Sequence, residues 1–210
     1  MKKSRKRALI VLNGDPPSLQ FLRNLARRAD LIVAADGGAN ALRKARVAAD
    51  VIIGDLDSIQ PATKRHFAHT RIIRVPDQDS TDFEKALSFL KRNGIVDVMV
   101  TGMAGRRIDF ALGNFFSIWK YTPRFCFSLF GDGWFAFPVR RKLDLFLPIG
   151  TTVSLIPFGR LTGVTLRGFQ FPLNGKTMAD GSLGVSNVTI AKKVSIHLRT
   201  GKLLVVVLSK

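Results

Sequence analysis

The sequence predicts an α/β fold in two parts: a parallel β-sheet covered by helices, then a small antiparallel β-sandwich. Three observations carry this expectation. The apolar strand-like runs of the first half are continuous rather than alternating, as strands buried on both faces require. Each run leads into a loop, most of them rich in Asp or Gly, and then into apolar residues at helical spacing, the order that builds parallel sheets. From about Pro138 onward the helical period disappears, and short apolar runs punctuated by turn residues replace it.

Arg7-Ala8-Leu9-Ile10-Val11-Leu12 reads as the first strand, ending at Asn13-Gly14-Asp15-Pro16-Pro17. Ser18 caps a helix whose apolar residues Leu19, Phe21, Leu22, Leu25, Ala26 and Ala29 keep a 3.6-residue period. A second strand, residues 31–35, stops at Asp36-Gly37-Gly38, and a helix runs from Ala39 to about Ala45. Val51-Ile52-Ile53 leads into Gly54-Asp55-Leu56-Asp57-Ser58. Residues 71–75 lead into Pro76-Asp77-Gln78-Asp79, after which Ser80 or Thr81 caps a helix carrying Phe83, Ala86, Leu87, Phe89 and Leu90. Residues 97–101 end at Gly102-Met103-Ala104-Gly105, followed by a helix through Trp119. In the second half, strands are predicted at residues 153–156, 164–166, 188–190, 194–198 and 203–208. The expected domains are residues 1–139 and 140–210.

Composition narrows the function. The 210 residues carry 33 Lys+Arg against 15 Asp+Glu, a formal net charge of +18. Such an excess raises a nucleic-acid reading, but the cations are dispersed, and no aromatic-interleaved RNA-binding signature accompanies them. Non-specific RNA binding at low salt is the expected consequence, and specific nucleic-acid binding is not. No stretch is long and apolar enough to span a membrane. The apolar run at Ala8–Leu12 is too short for a secretory leader, and a lone Cys126 allows no internal disulfide, so a cytoplasmic location is expected.

The acids are more informative than the bases. Fourteen of the fifteen are Asp, and Glu84 is the sole glutamate, although glutamate suits exposed helix faces better. Six of them, Asp55, Asp57, Asp77, Asp79, Asp82 and Glu84, fall within residues 55–84. Asp is short and stiff and suits turns, caps and hard-cation ligation. Each Asp or Gly cluster follows the C-terminal end of a strand, the edge where open α/β sheets bind ligands. Asp36, Asp55, Asp57, Asp77, Asp79, Asp82 and Asp109 are therefore expected to converge. A turn or cap accounts for one acid in each loop; two Asp-rich loops at one edge point to a divalent cation and phosphate. Asp36-Gly37-Gly38-Ala39-Asn40 opens a helix, whose free N–H groups suit an anion. Gly102-Met103-Ala104-Gly105-Arg106-Arg107 adds guanidinium groups that suit polyphosphate, and Asp109 is a candidate metal ligand, substrate binder or base.

Other motifs are excluded. Gly175-Lys176-Thr177 lacks the earlier glycine of a P-loop, there is no G-x-G-x-x-G, and no serine sits in a nucleophile elbow. His66, His69 and His197 have no zinc-ligand spacing with Cys126.

Taken together, the words Ala35-Asp36-Gly37-Gly38-Ala39-Asn40, Ile52-Ile53-Gly54-Asp55-Leu56-Asp57-Ser58-Ile59, Asp77-Gln78-Asp79-Ser80-Thr81-Asp82-Phe83 and the run Gly105-Arg106-Arg107-Ile108-Asp109-Phe110-Ala111-Leu112-Gly113-Asn114 resemble the thiamine pyrophosphokinase family. Gly168-Phe169-Gln170-Phe171-Pro172-Leu173 and Gly184-Val185-Ser186-Asn187 extend the resemblance through the second half. It implies a Rossmann-like catalytic domain, a C-terminal β-sandwich and a homodimer with sites between subunits. The implied reaction transfers pyrophosphate from ATP to the hydroxyl of thiamine, giving thiamine diphosphate and AMP. Carried over by motif, Asp55, Asp57, Asp79 and Asp82 hold Mg²⁺. Asp36, Gly37, Gly38, Asn40, Gln78, Asp79, Thr81 and Arg107 contact the nucleotide. Asp109, Asn114, Ser186 and Asn187 border thiamine. The catalytic set is Asp55, Asp57, Asp82, Arg107 and Asp109. Phe110 stands where many members carry His, and Gln170-Phe171 where members often carry a basic residue and Tyr. The rival readings are transfer of pyrophosphate or a nucleotide to another hydroxylated heterocycle, and a basic RNA-binding protein.

Overall fold

Continuous apolar runs become strands buried on both faces. β1 (Arg7–Val11), β2 (Leu31–Ala35), β3 (Val51–Gly54), β4 (Arg71–Arg74), β5 (Asp97–Thr101) and β6 (Cys126–Gly131) form a sheet in the order β6-β5-β1-β2-β3-β4, every pairing parallel. The computed structural model describes residues 6–77, 79–105, 107–181 and 183–209, and they part into two units between Asp132 and Gly133. On one face of the sheet Leu9, Val11, Ala34, Ile52 and Met99 pack with Leu22 and Leu25 of α1 (Leu19–Ala26) and Leu42 of α2 (Gly38–Ala45). The intervening residues Ala8, Ile10, Val33 and Ile53 are buried as well, and α4 (Asp82–Arg92) packs against β1, β2 and β3. Burial on both faces is why β1, β2, β3 and β5 show no alternation, whereas the edge strand β4 is largely exposed and β6 alternates.

The helix starts follow local capping chemistry. Ser18 Oγ accepts the Phe21 amide at 3.3 Å, as the sequence predicts. At α4 the cap is Thr81, one of the two residues expected there. Its hydroxyl accepts the Glu84 amide while the Glu84 carboxylate accepts the Thr81 amide, a reciprocal capping box. Glu84 also accepts from Lys120 at 2.8 Å and from the Tyr121 hydroxyl, tying α4 to α5 (Ile108–Tyr121). The sole glutamate is thereby a structural clasp, bonded to the start of its own helix and to α5. Its carboxyl is held below the ordinary value: burial pushes it up, but Lys120 and the Thr81 amide outweigh that. A short α3 (Pro61–His66) and β6 have no counterpart in the predicted element order.

The second unit is an antiparallel sandwich. One sheet runs β12 (Asn187–Val188), β9 (Thr152–Pro157), β14 (Leu203–Leu208), β7 (Trp134–Val139). The other runs β11 (Lys176–Met178), β10 (Leu161–Arg167), β13 (Lys193–His197), β8 (Lys142–Phe146). Val153, Leu155, Val205 and Val207 from the first meet Val164, Leu166, Val194 and Ile196 from the second in one core. β7, β8 and β11 add to the strands predicted here. The sequence places the domain boundary at 139/140; β7 pairs with β14 along its whole length, Leu203 opposite Val139 to Leu208 opposite Trp134, so the second unit starts earlier, at Gly133.

Thr81→Ala removes the hydroxyl half of the capping box and is expected to cost about 1 kcal/mol of unfolding free energy. Urea denaturation measures it, and an unchanged midpoint would show that the clasp at Glu84 alone holds the start of α4.

Candidate acidic site

At the C-terminal ends of β2 and β3 the chain brings three acidic segments together. β3 ends at Gly54, and a Cβ built there would lie 2.9 Å from Asp36 Cβ and 3.0 Å from Asp82 Oδ1. A glycine is therefore the one residue that lets Asp36, from the end of β2, and Asp82, from the first turn of α4, close over β3. Beyond it, Asp36, Asp55 and Asp57 each offer a carboxylate oxygen within 4.8 Å of the others. The loop is held by Asn40, whose amide donates to the Ser58 carbonyl at 2.9 Å and accepts the Gln60 amide at 3.1 Å. The Asp57 amide reaches Asp55 Oδ1 at 3.3 Å, and the Ser58 hydroxyl donates to Asp57 Oδ1 at 2.9 Å.

Two non-glycine residues here adopt left-handed backbone, Asp36 at φ 45° and Leu56 at φ 72°. Such conformations cost of order 1–3 kcal/mol each and cluster at functional sites. Asp36 is buried, and its Oδ1 has no hydrogen-bond partner among the described residues. Burial raises its carboxyl above the ordinary value; Ser58 and the Gly37 amide oppose this, and the charges of Asp82 and Asp57 add to it. Asp82 is raised too, by burial first, against which Lys85 pulls it down while Asp55 and Asp57 push it up. An orphaned buried oxygen, hard oxygen donors from separate loops and uncompensated like charge together fit a small divalent cation.

The other residues singled out in the sequence fall into three groups. Asp79 is exposed, and its amide donates to Asp77 Oδ1 at 3.0 Å, so Asp77 and Ser80, paired at 2.7 Å, form a turn leading into α4. That pairing, Ser80 first and then the Asp79 amide, holds the Asp77 carboxyl below its ordinary value. Neither Asp77 nor Asp79 joins the group formed by Asp36, Asp55 and Asp57, nor does Asp82, which approaches Gly54 beside Asp36; Asp36 joins it although the family resemblance places it with the nucleotide. Gln78 and Arg106 lie outside the described residues.

Arg107 and Asp109, at the start of α5, are exposed and grip each other through two hydrogen bonds, at 2.9 and 2.5 Å. Arg107 holds the Asp109 carboxyl down to about 2, and its guanidinium lies 4.5 Å from the centre of the Phe110 ring. Asn114 is buried and donates to the Met103 carbonyl at 3.2 Å, fastening α5 to the loop after β5.

In the second unit Ser186 is exposed with φ 57°, and its amide donates to Ser154 Oγ at 3.0 Å. Asn187 is buried; its Oδ1 accepts from Phe171 at 3.1 Å and Val188 at 2.9 Å, and its Nδ2 donates to the Phe171 carbonyl at 2.8 Å. Gly37 and Gly38 answer to packing as much as to any anion. A Cβ on Gly37 would strike the Asn13 amide, and one on Gly38 the Val11 carbonyl.

One nearby residue, Lys85, and one contact between two of the predicted loops are not foreseen in the sequence. Lys85 is buried and its Nζ donates to Asp82 Oδ1 at 3.1 Å. Its position three residues after Asp82 on a helix was the available signal. The loop after β1 is laced to the loop after β5, Gly14 donating to the Gly102 carbonyl at 2.9 Å and Asp15 to Ala104 at 2.7 Å. These two strands flank the reversal of strand order, where such sheets form a crevice.

Comparison with known proteins matches this architecture throughout. Residues 22–126 match the family model for the catalytic domain of thiamin pyrophosphokinase, and residues 138–203 match that for its vitamin B1 binding domain. A relative from Oryza sativa subsp. japonica, thiamine pyrophosphokinase 3, is 30% identical over 90% of this chain and 80% of its own length. This chain belongs to the thiamin pyrophosphokinase family. Thiamine pyrophosphokinase 1 of the same plant is 29% identical, over 91% of this chain and 82% of its own. Among solved structures, the thiamine pyrophosphokinase from Bacillus subtilis superposes with a TM-score of 0.85 at 22% identity, covering 98% of this chain and all of its own (100%). The thiamin pyrophosphokinase from Candida albicans does so at 0.85 and 17% identity, covering 98% and 90%. These two establish the fold, an α/β unit followed by an antiparallel sandwich.

The raised carboxyls of Asp36 and Asp82 carry a sign for stability. The folded chain binds these protons more tightly than the unfolded chain, so their contribution falls as pH rises from the ordinary carboxylate range towards neutrality. Asp36→Asn is accordingly expected to resist urea better than the parent chain at pH 7 in EDTA. The gap should narrow towards pH 4 and on adding Mg²⁺. A gap independent of both would disprove the account of a carboxyl raised by burial and, secondly, by like charge.

Proposed function

We propose that this chain transfers pyrophosphate from ATP to the hydroxyl of thiamine, releasing AMP, with Mg²⁺ held at the acidic edge. The observation that carries the reading is the meeting of Asp36, Asp55 and Asp57 within 4.8 Å at the end of a parallel sheet. Family membership supplies the substrate class. Asp55, Asp57 and Asp82 are the residues proposed to hold the metal, with Asp36 completing the acidic group; Asp79, closed into its turn with Asp77, is proposed only as an outer contact. Bound there, the ion would offset negative charge on the triphosphate.

The chain's own part is positioning. In the transfer the thiamine oxygen bonds to the β-phosphorus, the bond from that phosphorus to the α–β bridging oxygen breaks, and AMP carries the bridging oxygen away. The hydroxyl proton passes to a carboxylate or to water. In-line alignment and fixed charge supply most of the acceleration in such reactions. Gly37, Gly38, Asn40, Gln78 and Thr81 are proposed to line the nucleotide site. The Asn40 amide works through the loop it holds at Ser58 and Gln60. Arg107 is proposed to turn from Asp109 to phosphate oxygens. The grip of Arg107 is what holds the Asp109 carboxyl down to about 2; once Arg107 turns to phosphate, Asp109 is left as an unpaired carboxylate suited to charge pairing with the thiamine cation. Asn114, Ser186 and Asn187 are proposed to border the ring. The side-chain contacts of Asn114 and Asn187 support an indirect part, in which they fix the loops at Met103 and Phe171.

A homodimer fits the exposed apolar residues Ile108, Leu112 and Phe116, which recur every fourth residue along α5. A cytoplasmic setting fits the exposed free thiol of Cys126. No helix among the described residues is long and apolar enough to cross a membrane.

AMP formation that requires both thiamine and Mg²⁺ is the expected result of a coupled assay. Asp55→Ala and Asp57→Ala should each lower kcat by about 10²-fold or more, with the urea midpoint kept. Turnover with another hydroxylated heterocycle but not with thiamine would shift the reading to that acceptor. RNA binding at physiological salt without turnover would replace it. Separately, Leu112→Glu is expected to convert a dimer to a monomer in sedimentation; a parent chain already monomeric would remove the dimer from the reading.

A further inference from the structure

Lys85 is a buried ammonium with no task in the chemistry above. Its side chain is 4% exposed, and its Nζ lies 3.1 Å from Asp82 Oδ1. Lysine is seldom buried to this extent without a partner that needs its charge. Packing does not require it: the buried residues beside it on α4 are Phe83, Ala86, Leu87, Phe89 and Leu90, and an apolar side chain of the same length would fill the space. The partner is specific. Among the described residues, Lys85 is the hydrogen-bond donor to the Asp82 carboxylate.

The oxygen that accepts from Lys85 is also the one that closes over Gly54, 3.0 Å from where a Cβ would stand. Gly54 leaves the room in which that oxygen sits, and the hydrogen bond from Lys85 is the contact among the described residues that holds it there rather than swung about its χ angles. Asp82 carries the charge of Asp55 and Asp57 nearby, which favours turning away from them.

We propose that Lys85 is a positioning residue, holding Asp82 against the repulsion of Asp55 and Asp57 so that the acidic edge is ready to receive a divalent cation. The proposal rests on reading that edge as the metal site. It differs from a purely electrostatic role in sign. An ammonium close to a cation site repels the cation, so charge alone predicts that removing Lys85 tightens metal binding. Positioning predicts the reverse, because partners that orient a metal ligand typically contribute 10–100-fold in affinity.

Mn²⁺ serves as the probe, titrated by electron paramagnetic resonance into the full chain, with and without a non-hydrolysable ATP analogue. Lys85→Met is expected to weaken Mn²⁺ binding by about tenfold or more. In an Asp82→Asn background the same change should have little further effect, because Lys85 acts through Asp82. Where Lys85→Met does not fold, Lys85→Leu carries the same comparison, since it too offers Asp82 no donor. Binding that is unchanged or tighter in the Lys85 variants, or an equal loss with Asp82 already altered, overturns the proposal. A parent chain that takes up no Mn²⁺ under either condition overturns the metal reading itself, which keeps the two failures apart.

Discussion

The acidic edge exists because no side chain stands at Gly54. β3 is a central strand, hydrogen-bonded to β2 on one side and β4 on the other, so its position is set by the sheet. Asp36 enters from the end of β2 and Asp82 from the start of α4; a Cβ at Gly54 would lie 2.9 Å from Asp36 Cβ and 3.0 Å from Asp82 Oδ1, so any side chain there would force the acids to shift. The sheet fixes where the gap lies, and the capping box at Thr81 and Glu84 fixes where α4 begins. Asp82, the first residue of that helix, then has its place set by the sheet and the helix cap. Core, cap and clasp are thus upstream of the site in a causal sense.

Gathering carboxylates opposes folding, and the local structure absorbs that opposition. Asp36 and Leu56 hold left-handed backbone, Asp36 Oδ1 lacks a protein partner, and the carboxyls of Asp36 and Asp82 are raised. The two left-handed residues cost of order 1–3 kcal/mol each, in a domain whose whole stability is only about 5–15 kcal/mol, and the orphaned oxygen and raised carboxyls oppose folding in the same direction. The counterweights are near at hand: Asn40 bridging Ser58 and Gln60, Lys85 beside Asp82, and a sheet packed on both faces. This is the expected balance in a site prepared for a ligand that brings compensating charge, where function sets the limit on stability.

The sequence made the fold class and the acidic loops legible because both depend on short-range signals. Residues 31–35 and 51–53 are apolar without interruption, and Asp36-Gly37-Gly38 and Gly54-Asp55 mark their ends. The convergence of Asp36, Asp55 and Asp57 then follows from parallel strands placing their C-terminal ends at one edge. Signals that depend on the partner strand or on competition between side chains were not legible. β6, β7 and β8 lie in an aromatic, Pro- and Arg-interrupted region whose strand character comes from pairing with β5, β14 and β13. Asp79 sits in the right word but in a turn closed by Asp77, and Glu84 follows the acids in sequence yet points to Lys120. Lys85 reads as a surface residue until burial is known.

The Arg107–Asp109 pair completes the physical picture of a site meant for ligands of both signs. The two side chains are largely exposed, 70% and 61%, and ion pairs in such surroundings contribute little to stability. They are nonetheless strongly matched, with a two-point grip, and Phe110 stacks under the guanidinium. Each group therefore masks the other's charge at small cost, and separating them is cheap when other partners are offered. On the proposed chemistry the donor is a polyanion and the acceptor a cation, so a nucleotide competes for Arg107 while thiamine competes for Asp109. Either ligand alone leaves one half of the pair exposed and unpaired; both together satisfy each half. The +18 surface draws the anionic donor from a distance. The scarce aspartates supply the local negative charge that a cationic acceptor, and a divalent ion, require at contact.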